Sequence, residues 1–342
     1  MSGVLSGPRV RRLFVLVLFA TAAGCGSSSE ATKPLPSPSG TPSSSGQGSA
    51  GPRSGDRPFA ANSFWNSPLP TSAPLAQNSA AAVADLSRQI ADHNVWINTT
   101  QYSVPVFTAA RDQPDVRVKL DVPYSALQSQ FDAVPIPRSA APAKGNDAHM
   151  VVWQPSTNTT WEFFKARHDA DGWHARWGGR MTDVNQSSGH FSGKLGATAT
   201  GLPLLGGLLH PDELRRRRID HAVAVGVPDQ RSGAFVAPAQ RTDAAHGTGH
   251  AIVAGMRFRF PPDLDLSRYR LSPPIRAIAE AIQRYGMIVR DTAGTVVFYA
   301  QDPQSLGGNP YPSIFGTSYF DRQHAFRGFP WEKLQVVAAP VS

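Results

Sequence analysis

Asp147 and His149 stand two residues apart at the head of one apolar run, and Glu162 lies within the next. Alternate side chains of an extended segment share a face, so Asp147 and His149 project together. The two runs are joined by Pro155-Ser-Thr-Asn158. If that loop has four residues, Val151 faces Glu162 and His149 faces Phe164, while a slip of one residue turns Glu162 to the other side. In the first register two acids and an imidazole share one sheet surface among aromatics. Apolar neighbours raise the pKa of one carboxyl, which suits general acid and base work. The same residues also suit a hydrogen-bonded cluster that only ties strands together.

Other candidates are more scattered. His221 follows Asp220 and opens the apolar run Ala222-Val-Ala-Val225, as a core histidine or a base at a strand end would. Arg241, after Pro238-Ala-Gln, has the planar fork that binds a carboxylate or sulfate. Trp153 and Trp177 are candidates for stacking on a ligand, although large aromatics in strands are more often core. Asp169-Ala-Asp-Gly172 lacks the remaining oxygen ligands of a calcium loop and reads as a turn. No zinc motif, phosphate-cradling glycine loop or Gly-x-Ser-x-Gly elbow occurs, so neither a metal nor another cofactor is expected. Arg215-Arg-Arg-Arg218 closes a short helix after Pro211-Asp-Glu-Leu214, where cations favour the C-terminal end.

The elements that position these residues are mostly strands. Residues 147–153, 160–166 and 173–177 form β-branched and aromatic runs bounded by turn residues, which predicts a three-strand antiparallel meander. Residues 96–108, 116–122, 219–227 and 256–260 also read as strands, and 127–134 is ambiguous. A helix is expected over 79–93, where Val83, Leu86 and Ile90 recur at helical spacing and Asn78 or Ser79 can cap. A second has Ser272 at its cap, Pro273 at its first position and Gly286 at its end. Residues 287–290 and 296–299 then suggest a hairpin. The pattern predicts a mainly β fold: one sandwich or jelly-roll-like domain with two or three peripheral helices.

The amino terminus is organised differently. Arg9, Arg11 and Arg12 precede a short apolar run over 13–20, and Ala22-Ala-Gly-Cys25 follows. The run is too short to cross a bilayer and reads as a signal peptide over residues 1–25. Cys25 is the only cysteine in 342 residues. The stretch resembles a bacterial lipobox, which implies a palmitate-bearing lipoprotein on the outer face of the cell membrane. Labelled palmitate that fails to incorporate, or export that Cys25→Ala leaves unchanged, would exclude this. Residues 26–57 are Ser, Pro, Gly and Thr with little to bury, a disordered tether. Residues 58–338 carry the globular domain. Loss of residues 1–24 removes three arginines and no acids, so 33 Lys+Arg become 30 against 25 Asp+Glu, a net of +5. That balance argues against a nucleic-acid partner.

Several short motifs occur together: Asp147-x-His149, Trp161-Glu162-Phe163, Gly201-Leu-Pro203, Asp212-Glu-Leu214, Ile219-x-His221-Ala222, Pro238-Ala239, Gly255-x-Arg257 and Tyr285-Gly-Met-Ile-Val289 with Asp291. In this combination the chain resembles a widespread family of secreted bacterial proteins of unknown activity. Its strand pattern is similar to that of carbohydrate-active jelly rolls. The expectation is a surface-anchored enzyme of an extracellular, preferably anionic, polysaccharide. As a glycoside hydrolase it would use Glu162 and Asp147 as acid and base. As a lyase, His149 or His221 would abstract a proton while Arg241 neutralised a uronate. The alternative is a non-catalytic lipoprotein that binds cell-wall glycan.

Overall fold

The computed structural model describes residues 57–245, 247, 249–316 and 325–339. The candidate signal segment, Cys25 and the tether up to residue 56 lie outside the described residues. The first helix, α1 (Ser79–His93), has the predicted bounds; Asn78 stands at its cap but makes no cap bond with its side chain, while Ser79 Oγ accepts from Val336 N at 2.8 Å. After it come β1 (Val95–Asn98), β2 (Val106–Thr108), β3 (Val118–Leu120) and α2 (Ser125–Phe131). Next are β4 (Met150–Gln154), β5 (Thr159–Phe164), β6 (Arg167–Asp169), β7 (Gly172–Ala175) and β8 (Trp177–Met181). The rest comprises α3 (Pro211–Arg216), β9 (Val223–Val227), β10 (Arg257–Arg259), α4 (Pro273–Tyr285), β11 (Met287–Thr292), β12 (Val296–Tyr299), α5 (Tyr311–Phe315) and β13 (Gln335–Val337). The fold is mainly β, and none of the described helices is long and apolar enough to cross a membrane.

Three sheets carry the structure. A six-stranded sheet runs β1-β12-β9-β11-β10-β13, a four-stranded sheet β2-β4-β5-β8, and a three-stranded sheet β3-β7-β6. Each mixes orientations: β1 with β12, β9 with β11, β2 with β4 and β3 with β7 are parallel. This departs from the jelly-roll pattern expected above, whose neighbouring strands are antiparallel. Among the described residues, two longer helices and three short ones accompany the sheets.

The core is layered. One face of the six-stranded sheet packs Val225, Val289 and Phe298 against Leu86 of α1 and Ile275, Ile278 and Ile282 of α4. Its other face turns Ala224, Ile288 and Val297 toward Val106 and Val151 of the four-stranded sheet, with Leu202, Leu204 and Leu208 filling between. The far face of the four-stranded sheet packs Val152, Trp161 and Phe163 against Leu127 and Phe131 of α2 and against Val118 and Ala175. Helix α4 shows why its sequence was legible: apolar residues recur at helical spacing, Pro273 starts it and Gly286 at φ +85° ends it. Ser272 occupies the cap position but makes no cap bond with its side chain.

Two predicted strand pairings differ. Residues 287–299 are not a hairpin, because β9 lies between β11 and β12, parallel to one and antiparallel to the other. Gly226 permits the close crossover: a Cβ there would stand 3.0 Å from Ala293 Cβ and within contact of Tyr299 Oη. The third strand of the meander is β8, not 173–177, since β7 leaves to pair with β3 and β6. The ambiguous segment resolves as α2 followed by a bridge between Val134 and Val116.

Candidate functional site

The β4–β5 register is the one in which Val151 opposes Glu162, with the turn at Pro155–Thr157 and Asn158 in the left-handed conformation. His149 meets the Phe164 ring at 5.8 Å between centroids. The face that His149 and Glu162 share looks into the layer between the two larger sheets, whereas Asp147 stands in a turn ahead of β4, parted from His149 by Ala148 at φ +41°, so the expected alternation does not reach it. Glu162 is 1% exposed and His149 4% exposed. Glu162 Oε1 accepts from Ala197 N and Oε2 from Leu204 N, both at 2.7 Å. Burial pushes the Glu162 carboxyl up to about 7, against the opposing pull of those two donors, Arg290 and Arg241. Burial, aided by Arg290, holds the His149 imidazole down to about 3, so it is neutral at physiological pH.

The six-stranded sheet answers this face with a bulge. The β9–β11 register shifts between Val289 and Asp291, which makes Arg290 the extra residue and re-aims its side chain inward. Arg290 is wholly buried; its Nη1 donates to Leu204 O at 2.9 Å and Gly206 O at 3.0 Å, and its guanidinium lies 4.1 Å from the Tyr299 ring centroid. Its Nε and Nη2 are buried without a hydrogen-bond partner among the described residues. A cation over an aromatic face offsets part of that desolvation. Burial lowers the Arg290 pKa and pushes the Tyr299 hydroxyl far up.

Beyond this sealed centre the bulge brings Asp291 to the rim. Its residue reaches solvent, and the bonds it accepts from Ala199 N (3.3 Å) and Thr292 N (3.1 Å) both end on Oδ1. Burial of the carboxyl pushes it up to about 7; Arg290 pulls it down, while Asp243 and Asp147 push it further up. Asp147 is half-buried and its carboxyl makes no hydrogen bond among the described residues. Burial raises its pKa, the Lys165 ammonium lowers it, and exposed Asp243 raises it. Lys165 is held close by its own N–H, which donates to Asp147 O at 2.7 Å.

The remaining candidates separate. His221 is far from free: its Nε2 lies 3.2 Å from Glu213 of α3 and its Nδ1 2.8 Å from Ala222 O. Burial opposes its charge, but Glu213 outweighs it and raises the His221 pKa. Arg241 donates to Leu195 O, Gly196 O and Thr198 O, so its fork clamps a loop. Trp153 packs at the edge of the layer between the sheets. Trp177 pairs in register with Phe164 and meets the exposed Tyr124 ring at 5.0 Å. Asp169, Asp171 and His174 offer ligand atoms within 4.8 Å of one another, yet Arg167 and Lys119 already bind the two carboxylates at 2.7 Å each. Sequence reasoning did not single out Arg290, Asp243 or Tyr299 and met Asp291 only among recurring motifs; the signal was a charged pair closing an apolar strand. Compared with protein-family models, curated proteins and solved structures, the chain matches none of them.

Proposed function

We propose that the protein is a lipid-anchored glycoside hydrolase of the outer cell surface, with Asp147 and Asp291 as its paired carboxyls. The observation that carries this reading is Asp147 itself, a half-buried carboxyl that makes no hydrogen bond among the described residues, next to the strand end that carries Phe164 and Lys165. Near it, Tyr124 meets Trp177 at 5.0 Å, Trp177 stands opposite Phe164 in the strand register, and the Lys165 ammonium lies 5.5 Å from the Phe164 ring. Aromatic faces followed by carboxyls suit a sugar chain, whose rings stack while the scissile bond meets the acid. Asp291, raised to about 7, holds a proton near neutral pH and acts as the general acid. Asp147 faces the Lys165 ammonium and acts as the ionised partner, attacking the sugar carbon or activating water.

A hydrolase is favoured over a lyase because the lyase groups are engaged elsewhere. His149 is sealed, His221 is paired with Glu213, and the Arg241 fork is taken by loop carbonyls. The net charge of the exported chain favours an anionic polysaccharide. We read the two stacked sheets as a variant sandwich in which parallel pairs replace jelly-roll order.

The test is digestion of a polysaccharide panel by the full chain, reading reducing ends and ultraviolet absorbance separately. New reducing ends without the absorbance of unsaturated sugars are expected. Asp147→Asn and Asp291→Asn should each lower turnover by about 100-fold or more without changing the melting temperature. If both variants cleave normally, the site assignment is wrong. If no polysaccharide is cut but glycan binding depends on Trp177, the protein is the non-catalytic binder.

A further inference from the structure

A cleft of about 630 Å³ lies among Phe64, residues 234–240, the start of β10 and residues 336–339. That volume falls within the roughly 300–1,000 Å³ of small-ligand sites. Its walls are apolar, with Phe64, Phe235, Val253, Met256 and Val336 facing the space. Phe235 is 47% exposed, a large apolar side chain at the surface whose contacts a ligand would complete.

The charge in the cleft is of one sign. Arg231 and Arg257 line it, and no aspartate or glutamate among the described residues does. Arg257 donates through Nε (2.8 Å) and Nη2 to the Tyr285 carbonyl, a neutral acceptor. Its Nη1 has no protein partner among the described residues and is not among the sealed, unsatisfied atoms. Gly286 lies directly behind: a Cβ there would stand 2.8 Å from Arg257 Nε, so the stem rests flat on backbone. Burial alone, with no acid as counterweight, brings the Arg257 pKa down to about 10. Arg231 is anchored in the same manner, its Nε donating to His250 O at 3.0 Å. Two guanidinium groups held on carbonyls at an apolar cleft are arranged for an anion that desolvates with them.

We infer that this cleft binds a single-chain amphiphile, an unbranched acyl chain ending in a carboxylate. The chain lies against Phe64, Phe235 and Met256 and the head meets Arg257 and Arg231. The lining is mostly apolar, and two of its polar side chains, His190 and Gln240, are bonded to each other at 2.7 Å, which suits an acyl chain better than a sugar. None of Asp147, Asp243 and Asp291 lines the cleft, so the inference does not depend on the hydrolase reading.

The experiment titrates dodecanoate, 1-dodecanol and dodecyltrimethylammonium into the full chain by calorimetry, below their micelle concentrations. Dodecanoate should bind at one site, and the cation at least about tenfold more weakly, as expected for loss of a charge-assisted bond. Arg257→Met should weaken dodecanoate about tenfold while changing dodecanol by less than about threefold. Arg231→Gln changes an exposed residue and should weaken dodecanoate about threefold, which keeps the test decisive if Arg257→Met does not fold. Equal affinity for the cation, indifference of dodecanoate to the folded arginine variants, or no one-site binding would overturn the inference.

Discussion

Glu162 and Arg290 hold the same residue from opposite sheets: Glu162 Oε2 accepts from Leu204 N at 2.7 Å, and Arg290 Nη1 donates to Leu204 O at 2.9 Å. One partner comes from β5 of the four-stranded sheet and the other from the bulge in β11. Together with Ala197 N on Glu162 Oε1 and Gly206 O on Arg290, they fasten the 195–206 segment between the sheets. Polar groups in an apolar layer stay there only when their bonds are made.

The pair should therefore be energetically coupled. Glu162→Gln places an amide NH₂ against a backbone N–H and should cost about 1–3 kcal/mol. Arg290→Met leaves Glu162 and Asp291 without their cation and should cost about 3–5 kcal/mol. In urea unfolding the double variant should show a coupling of roughly 0.5–3 kcal/mol. Simple additivity would mean the two do not act through Leu204.

His149 sets an acid limit on stability. Its folded pKa, near 3, is depressed below the ordinary 6.5, so its contribution is complete above pH 6.5 and is lost as pH falls toward 3. Glu162 works in the opposite sense: raised to about 7 from 4.5, it contributes fully below pH 4.5 and loses that contribution as pH rises through 7. The melting temperature of His149→Gln should consequently gain on the unaltered protein as pH is lowered from 6.5 to 4. That of Glu162→Gln should gain as pH is raised from 5 to 8. Parallel pH profiles for all three proteins would contradict the assigned shifts.

Gly207 should tolerate no side chain. Its φ is +66°, and a Cβ would meet the Trp65 ring at 2.7 Å and the Val223 carbonyl carbon at 2.7 Å, besides pressing on Ala224 N. The strained conformation alone costs about 1–2 kcal/mol, and the backbone it meets is β9, the centre of the sheet. Gly207→Ala should lower the urea midpoint well beyond that of Gly233→Ala, where φ is +67° but no atom lies within 4 Å. Equal losses would show that conformation, not contact, governs both.

Trp177→Ala should separate binding from chemistry in the proposed hydrolase. Loss of one aromatic face is worth about 0.5–1.5 kcal/mol beyond area burial. The expected result is a several-fold higher KM on a long polysaccharide with kcat nearly unchanged. An unchanged KM would remove Trp177 from the substrate path.

Much of the local structure was legible. The spacing of Val83, Leu86 and Ile90 and the Pro273–Gly286 bracket marked both long helices because helical periodicity is written in neighbouring residues. The Pro155–Asn158 turn narrowed the β4–β5 pairing to two registers, and the structure has the one in which Val151 opposes Glu162. Other features depended on distant partners. Nothing near 287–299 says that residues 223–227, some 60 positions earlier, will insert between those strands. The bulge at Arg290 likewise appears only once β9 supplies the ladder it interrupts.

The amino-acid sequence by itself determined the alternation within each extended run, which puts His149 and Val151 on one side of theirs; the pairing of β4 with β5 then adds Glu162 to that side. Only the tertiary structure decided what that face looks upon. A second sheet covers most of it, turning Glu162 and His149 into buried fastenings, while Asp147 stands at the rim beside Asp243 and Asp291. The physical reason is that alternation is a property of one strand, whereas exposure is set by the apolar surface elsewhere in the chain that comes to cover it.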